Sequence, residues 1–336
     1  MRTTLAKFAL AALFTSIGLA QSPDRTFPFT QPASPADMRA MTTLIRTVVD
    51  LQDVSIDEAH QALTVRGPVD KMLATDWLFH QLDQPAEQNQ AGPVPQYRMA
   101  GEQNEVISVF RLPPSATNAD LTALVTAIRT VADLQRMFPY ESQKAIVGRG
   151  AAEKIAAADW MVRQLWPPDG KVPTADSPAY PSPVYTRDVD PVIRIFRMDP
   201  GASDANLTAM VTAIRTVADV QRLFPYETGK AVIASGSTEK VAVAAWLIHE
   251  MRKGSSPQAA PETTLPGEAD GRVRLFFVDQ KSSHAALTAL VTEIRSKTGI
   301  ARIFPFYEPA ALVLRGPAGQ MPVVEELLAE YAAGMH

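Results

Sequence analysis

The residues able to carry reaction chemistry are few in this chain, and they are scattered. Five histidines, His60, His80, His249, His284 and His336, could ligate a metal or shuttle a proton, but their positions have no metal-ligand spacing. Cysteine is absent, so a zinc cluster would have to draw histidines and carboxylates from distant places. Neither a G-x-S-x-G elbow nor a phosphate-binding glycine loop occurs. Gly148-Arg149-Gly150 is a pair of glycines bracketing a strand end, and Asn206-Leu207-Thr208 is a glycosylation-type triplet at the start of a helix with a buried face. From these residues we expect no enzyme, no catalytic residue, no metal and no cofactor.

The side chains that do recur suit binding instead. Trp77, Trp160 and Trp246 hold one place in a repeated helix, and Glu326 holds it in the last repeat. The core face of that helix is set by Ile155, Ala158, Val162 and Leu165, and at about 100° per residue Trp160 projects roughly 150° from its middle. A tryptophan off the core stripe is either a contact anchor, a cover over its own helix, or part of a ligand site. Arg46, Arg129, Arg215 and Arg295 also recur, each one residue after an apolar isoleucine. They serve either a repeated acidic contact or a solvated helix face paired with Asp133 or Glu141. The candidate inter-module or partner contacts are therefore Trp77, Trp160, Trp246, Arg129, Arg215 and Arg295.

What positions these residues is a passage written four times. Leu121–Tyr140 reads LTALVTAIRTVADLQRMFPY, and Leu207–Tyr226 reads LTAMVTAIRTVADVQRLFPY 86 residues later. A further copy begins at Leu287, and Ile45–Gln52 keeps a degenerate one. Such periodicity describes an array of small units. In the second copy Val109–Leu112 reads as a strand, Thr117 as a helix N-cap with Asp120 three residues on, and Leu121, Leu124, Val125, Ile128 and Ala132 as one apolar stripe. Ser34, Ser203 and Ser283 repeat the cap, and Pro35 fits a first helical position. Met137–Tyr140 and Ala145–Val147 then form a hairpin, closed by a glycine in every copy: Gly67, Gly150, Gly236 and Gly316. Pro139, Pro225 and Pro305 place the first hairpin strand at a sheet edge, because proline cannot donate to a ladder. A second helix follows, as at Ala152–Leu165.

The unit is strand–helix–strand–strand–helix, and the expected fold class is α+β: four tandem βαββα modules, each a three-stranded sheet with two helices on one face. Their expected bounds are 26–83 (degenerate), 105–166, 190–252 and 271–333. The linkers 84–104, 167–189 and 253–270 are rich in Pro, Ala, Ser and Gly, which predicts semi-extended, solvated connections and argues against close end-to-end stacking. Residues 1–20 read as an export signal: Arg2 and Lys7, a short apolar run Phe8–Ala20, and small residues before Gln21. Its removal leaves 30 basic against 36 acidic residues, a net of −6 without the basic stripe that nucleic acid would require. No later stretch is long enough to cross a bilayer.

The module resembles the short periplasmic N-domains of secretins, the outer-membrane channels of bacterial export and pilus systems. The matching residues are Val109-Phe110-Arg111-Leu112, then Leu121, Leu124 and Ile128, then Ala145-Ile146-Val147 with Gly150. Ala311-Leu312-Val313-Leu314-Arg315-Gly316 and Gln81-Leu82-Asp83-Gln84-Pro85 add the strand signature and the helix ending. The resemblance implies a KH-like topology, although the GXXG loop of nucleic-acid-binding KH modules is missing. It also implies ring-building contacts of one module's helices against a neighbour's sheet. The long channel domain of a secretin has no counterpart here, so this chain is not expected to form a channel by itself. We expect an exported, periplasmic or secreted structural or adaptor protein. Its partners would be other copies of itself or secretion-apparatus proteins (type II or III secretion, or type IV pili), with no nucleic acid and no small-molecule substrate. The alternative is a peptidoglycan-binding envelope module, whose aromatics and arginines would grip the wall.

Overall fold

Each first helix starts where a hydroxyl can accept the helix's own unpaired N–H groups. In the computed structural model, which describes residues 24–84, 93–101, 104–167, 170–184, 190–254, 260–279 and 281–333, Ser34 and Thr117 close capping boxes with Asp37 and Asp120. Ser203 and Ser283 accept from the N–H groups of Asn206 and Ala286. The expected export signal and His336 lie outside the described residues.

The first module runs β1 (Arg25–Pro28), α1 (Pro35–Leu44, prolonged by a π-helical turn Ile45–Val49), β2 (Asp53–Asp57), β3 (Ala62–Arg66) and α2 (Val69–Leu82). The second runs β4 (Gln96–Arg98), β5 (Glu105–Arg111), α3 (Asn118–Val131), β6 (Arg136–Tyr140), β7 (Ala145–Ala151) and α4 (Ala152–Leu165). The third is β8 (Tyr180–Pro181), β9 (Pro191–Arg197), α5 (Asp204–Ala218), β10 (Arg222–Tyr226), β11 (Ala231–Ser237) and α6 (Thr238–Lys253). The fourth is β12 (Glu262–Thr264), β13 (Arg272–Phe277), α7 (His284–Thr298), β14 (Arg302–Tyr307), β15 (Ala310–Gly316) and α8 (Met321–Ala333). The described chain is therefore mixed α/β, with eight helices and four antiparallel sheets ordered β1-β3-β2, β4-β5-β7-β6, β8-β9-β11-β10 and β12-β13-β15-β14.

The proline-bearing strands β6, β10 and β14 stand at sheet edges, as their missing N–H requires. Three other expectations need correction. The strand read at Val109–Leu112 begins at Glu105, because β5 is apolar on both faces and is buried from Val106 to Phe110. The three-stranded sheet holds only in the first module. In each later module the preceding linker contributes a fourth strand, β4, β8 or β12, antiparallel to the module's first strand. The third correction is that the modules stack closely despite their long connections.

The reason for the stacking lies in residue alternation along the strands. Val106 and Phe110 of β5 pack with α3 and α4 of their own module. Ile107 and Val109 point to the other face and share a core with Met41, Leu44, Val48, Leu78 and Phe79 of the module before. Ile193, Ile195 and Ile233 of the third module enter the helical core of the second. Val273, Leu275 and Val313 of the fourth enter that of the third. Each large side chain buried this way contributes roughly 1.5–3 kcal/mol. Strands covered on both sides read as continuous apolar runs, and β7, β11 and β15 open on such runs, over residues 145–148, 231–234 and 310–314.

The ends of the stack differ. On the first sheet, Thr26 and Thr64 meet through their hydroxyls and Ser55 donates to the Thr64 carbonyl, a polar outer face. On the last first-type helix, Glu293 and Lys297 form an ion pair where α5 has the buried Ala213 and Val217. Polar end units are what a stacked array needs to remain soluble.

The closing glycines follow from packing. A methyl group on Gly150 would stand 2.5 Å from Leu134, and one on Gly67 2.7 Å from Leu51, whereas one on Gly236 would meet Val220 at 3.5 Å. Gly150→Ala should therefore lower stability by about 1–3 kcal/mol, and Gly236→Ala by no more than ~0.5 kcal/mol. Urea unfolding of the two variants checks the contrast.

Candidate functional site

The repeated polar side chains converge on the junctions between modules, and arginine dominates there. A helix ends with carbonyls that lack intrahelical partners and carry partial negative charge. At the first junction Arg149 of β7 reaches back to the end of the first module's helix, where its guanidinium donates to the Val48 and Val49 carbonyls at 3.3 and 3.1 Å. It is 2 % exposed, and Glu105 accepts from its Nε at 2.6 Å. At the second junction Arg222 of β10 donates to the Thr130 carbonyl at 3.1 Å. At the third, Arg315 of β15 donates to the Val217 carbonyl at 3.2 Å and pairs with Asp270.

The second helices are held in the same manner. Arg111 donates to the Gln81 carbonyl at the end of α2, and Arg197 to that of Gln164 at the end of α4, at 2.5 Å. Burial pulls both guanidinium groups below the usual arginine value, first through desolvation. An arginine keeps its proton in such a place, and each gives one Nη2 donor to a helix-end carbonyl, while Nε and Nη1 of Arg111 and Nη1 of Arg197 are buried without a hydrogen-bond partner among the described residues.

Behind each first helix of the first three modules stands an aspartate in left-handed conformation: Asp50 (φ 60°), Asp133 (φ 56°) and Asp219 (φ 57°). The fourth module has Gly299 there (φ 71°). A left-handed aspartate costs about 1–2 kcal/mol that glycine does not, and its carboxylate offers a compensation. Lys71 and Lys154 bind Asp50 and Asp133 at 3.0 and 2.8 Å, and Lys240 lies 3.6 Å from Asp219. Across the junctions Arg222 lies 3.7 Å from Asp133, and Arg302 3.7 Å from Asp219. The hydrogen bond from Lys71 lowers the Asp50 carboxyl, and that from Lys154 lowers Asp133. Where the fourth module carries glycine, Gln320 also replaces the lysine. The fourth module therefore lacks both members of the pair.

The tryptophans face the linker strands. The ring of Trp160 stacks on Tyr180 of β8 at 4.9 Å, and Trp77 lies 5.6 Å from Tyr97 of β4. Trp246 packs on the core between the third and fourth modules, beside β12, where Thr263 replaces the tyrosine. Trp166, not singled out from the sequence, donates from its indole to the Tyr226 hydroxyl across the second junction at 2.7 Å. It was illegible because only one copy carries it.

The recurring helix arginines act inside their own modules. Arg46, Arg129, Arg215 and Arg295 donate to the carbonyls of Val54, Met137, Leu223 and Ile303, at 2.9, 2.7, 3.3 and 3.4 Å. Each acceptor lies on a sheet-edge strand, two residues before Pro139, Pro225 or Pro305, or before Ile56 in the first module. Arginine occupies an outward carbonyl and proline removes an outward N–H, so together they block that edge against a foreign strand. Neither an acidic contact nor a bare solvated face describes these arginines.

Among the described residues no three His, Cys, Asp or Glu side chains cluster as a metal site, and no helix is long and apolar enough to cross a membrane. No protein-family model matches the chain, and no curated protein matches it in sequence. Among solved structures it is similar to Aeromonas hydrophila ExeD, at 14% identity and a TM-score of 0.17, over 68% of this chain and 41% of that one. It is also similar to a chain of the ETEC pilotin–secretin AspS–GspD complex, at 12% identity and a TM-score of 0.17, over 69% and 38%. The chain thus spans about two fifths of the length of these neighbours. A TM-score of 0.17 is too low to transfer a fold or a role to this chain.

Arg149 and Arg66 occupy the same strand position, but Arg66 is on the open outer face and, among the described residues, pairs only with exposed Asp24. Arg149→Leu, which strands Glu105 and two helix-end carbonyls, should cost about 3 kcal/mol. Arg66→Leu should change stability by less than ~0.5 kcal/mol. Chemical denaturation of both variants measures the difference.

Proposed function

We propose that this chain is a non-enzymatic, exported scaffold of the bacterial envelope, whose secretin N-domain-like, KH-like modules join other proteins of a secretion or pilus assembly. One observation carries the reading: the side chains repeated from copy to copy are used for packing modules on one another and for guarding strand edges. Trp160 on Tyr180 and Arg149 on the Val48 and Val49 carbonyls are the clearest cases. A repeat whose recurring residues make contacts is built for assembly, and no group shared by all four copies remains over for bond-breaking chemistry.

In this reading Trp77, Trp160 and Trp246 are inter-module contact residues, and Arg129, Arg215 and Arg295 keep the edges of individual modules from pairing wrongly. The polar end faces direct assembly to the sides and strand edges of the stack, away from further end-to-end growth. The export signal read in residues 1–20, from Arg2, Lys7 and the apolar run Phe8–Ala20, supports a location in the periplasm or outside the cell.

Two purified targets test this reading: recombinant secretin N-domain rings and cell-wall sacculi. The chain beginning at Gln21 should co-sediment with the rings and stay in the supernatant with sacculi. Retention by sacculi alone would transfer the protein to the wall-binding class.

A further inference from the structure

In three modules the edge beside the first strand is closed by a strand of this same chain, and in the first module no strand among the described residues closes it. At β9 the closure is extensive. Asp176 accepts from the Arg197 N–H at 2.8 Å, Ser177 N–H donates to the Ile195 carbonyl at 2.9 Å, and the Ile195 N–H donates to the Ser177 hydroxyl at 2.9 Å. Ser182 N–H then donates to the Pro191 carbonyl at 2.8 Å. At β5 and β13 the equivalent residues Val109 and Leu275 donate to the carbonyls of Pro95 and Pro261 at 3.2 and 3.1 Å. The covering segment carries proline each time: Pro95 before β4, Pro178 before β8 and Pro181 at its end, Pro261 before β12.

The equivalent residue in the first module is Thr26. Phe29 donates to the Gln61 carbonyl, so the antiparallel alternation directs Phe27 and Arg25 to β3 and turns the Thr26 N–H and carbonyl to the open side. Among the described residues nothing meets that N–H. A groove borders this edge, lined by Thr26, Pro28, Thr30, Phe79, His80 and Asp83 among others. The opposite edge of the same sheet is also less guarded, since Ile56 replaces the proline of β6, β10 and β14. Among the described residues, the first module alone has no strand covering the edge of its first strand.

We infer that the β1 edge of the first module is a strand-acceptor site for a partner protein, filled by an extended, proline-bearing segment running antiparallel to β1. The three filled edges define the occupant: a short non-helical segment whose backbone accepts from the Thr26 N–H and donates to its carbonyl. Main-chain bonds supply the attraction in this recognition mode, and prolines keep the incoming strand extended at little entropic cost. The site deepens the scaffold reading and rests on it, giving the stack a place to take hold of another protein.

The probe is a synthetic peptide of Asp176–Val184, the chain's own most fully bonded covering segment, added at millimolar concentration to the chain beginning at Gln21. Amide hydrogen exchange at Thr26 should slow about threefold or more, with Ile56 unchanged, and Thr26→Pro should abolish peptide binding while circular dichroism stays native. Unaltered exchange at Thr26, or protection at Ile56 in its place, overturns the proposal. So does Thr26 protection that rises with protein concentration alone, which would make a second copy the occupant. Should Thr26→Pro still co-sediment with secretin N-domain rings, strand acceptance at β1 fails while the scaffold reading stands.

Discussion

A small antiparallel sheet that is apolar on both faces must be covered twice, and this requirement organises the molecule. Helices of the same module cover one face, and helices of the module before it cover the other. Ile107, Val109 and Val147 belong by sequence to the second module and by packing to the core of the first. Every junction is thus a hydrophobic core shared by two stretches of chain that lie far apart in sequence. The isolated module is too small to bury much surface on its own, and the sharing supplies what it lacks.

Arginine gives the junctions their register. Apolar burial alone is non-directional and would tolerate sliding of a sheet over two helices. Helix C-termini present carbonyls at fixed points, and Arg111, Arg149, Arg197, Arg222 and Arg315 each find one. The left-handed Asp133 and Asp219 add a carboxylate at the same place. The exchange to Gly299, Gln320, Glu293 and Lys297 in the fourth module removes the carboxylate, its lysine and the apolar face together. Edge protection is a separate matter, managed by the Arg129–Pro139 type of pair and by the linker strands.

Much of this was legible in the sequence because it is local. The Ser/Thr caps, the helix Ala152–Leu165, the hairpin and the edge position of the proline strands all follow from spacing and backbone chemistry within a dozen residues. The stacking was not legible from linker composition. Linker length speaks to chain entropy, and that cost grows only slowly with length, whereas the apolar back face decides the outcome. The clue lay in strand patterning: Ala310–Gly316 and Val106–Phe110 do not alternate, as a sheet open on one side would require. The linker strands were missed because β4, β8 and β12 are only two or three residues long, too short for a hydrophobic pattern to show. The arginine at position 129 was visible as a repeat, but its acceptor, the Met137 carbonyl, carries no side-chain signature.

The absence of cysteine makes a direct test of the stacked arrangement straightforward. Spin labels on cysteines placed at Thr122 and Thr208, exposed and equivalent positions on α3 and α5, can be measured by double electron–electron resonance. Neighbouring modules bound through a shared core predict one narrow distance distribution that persists in high salt. A broad distribution, of the kind produced by two bodies on a flexible tether, would contradict the account.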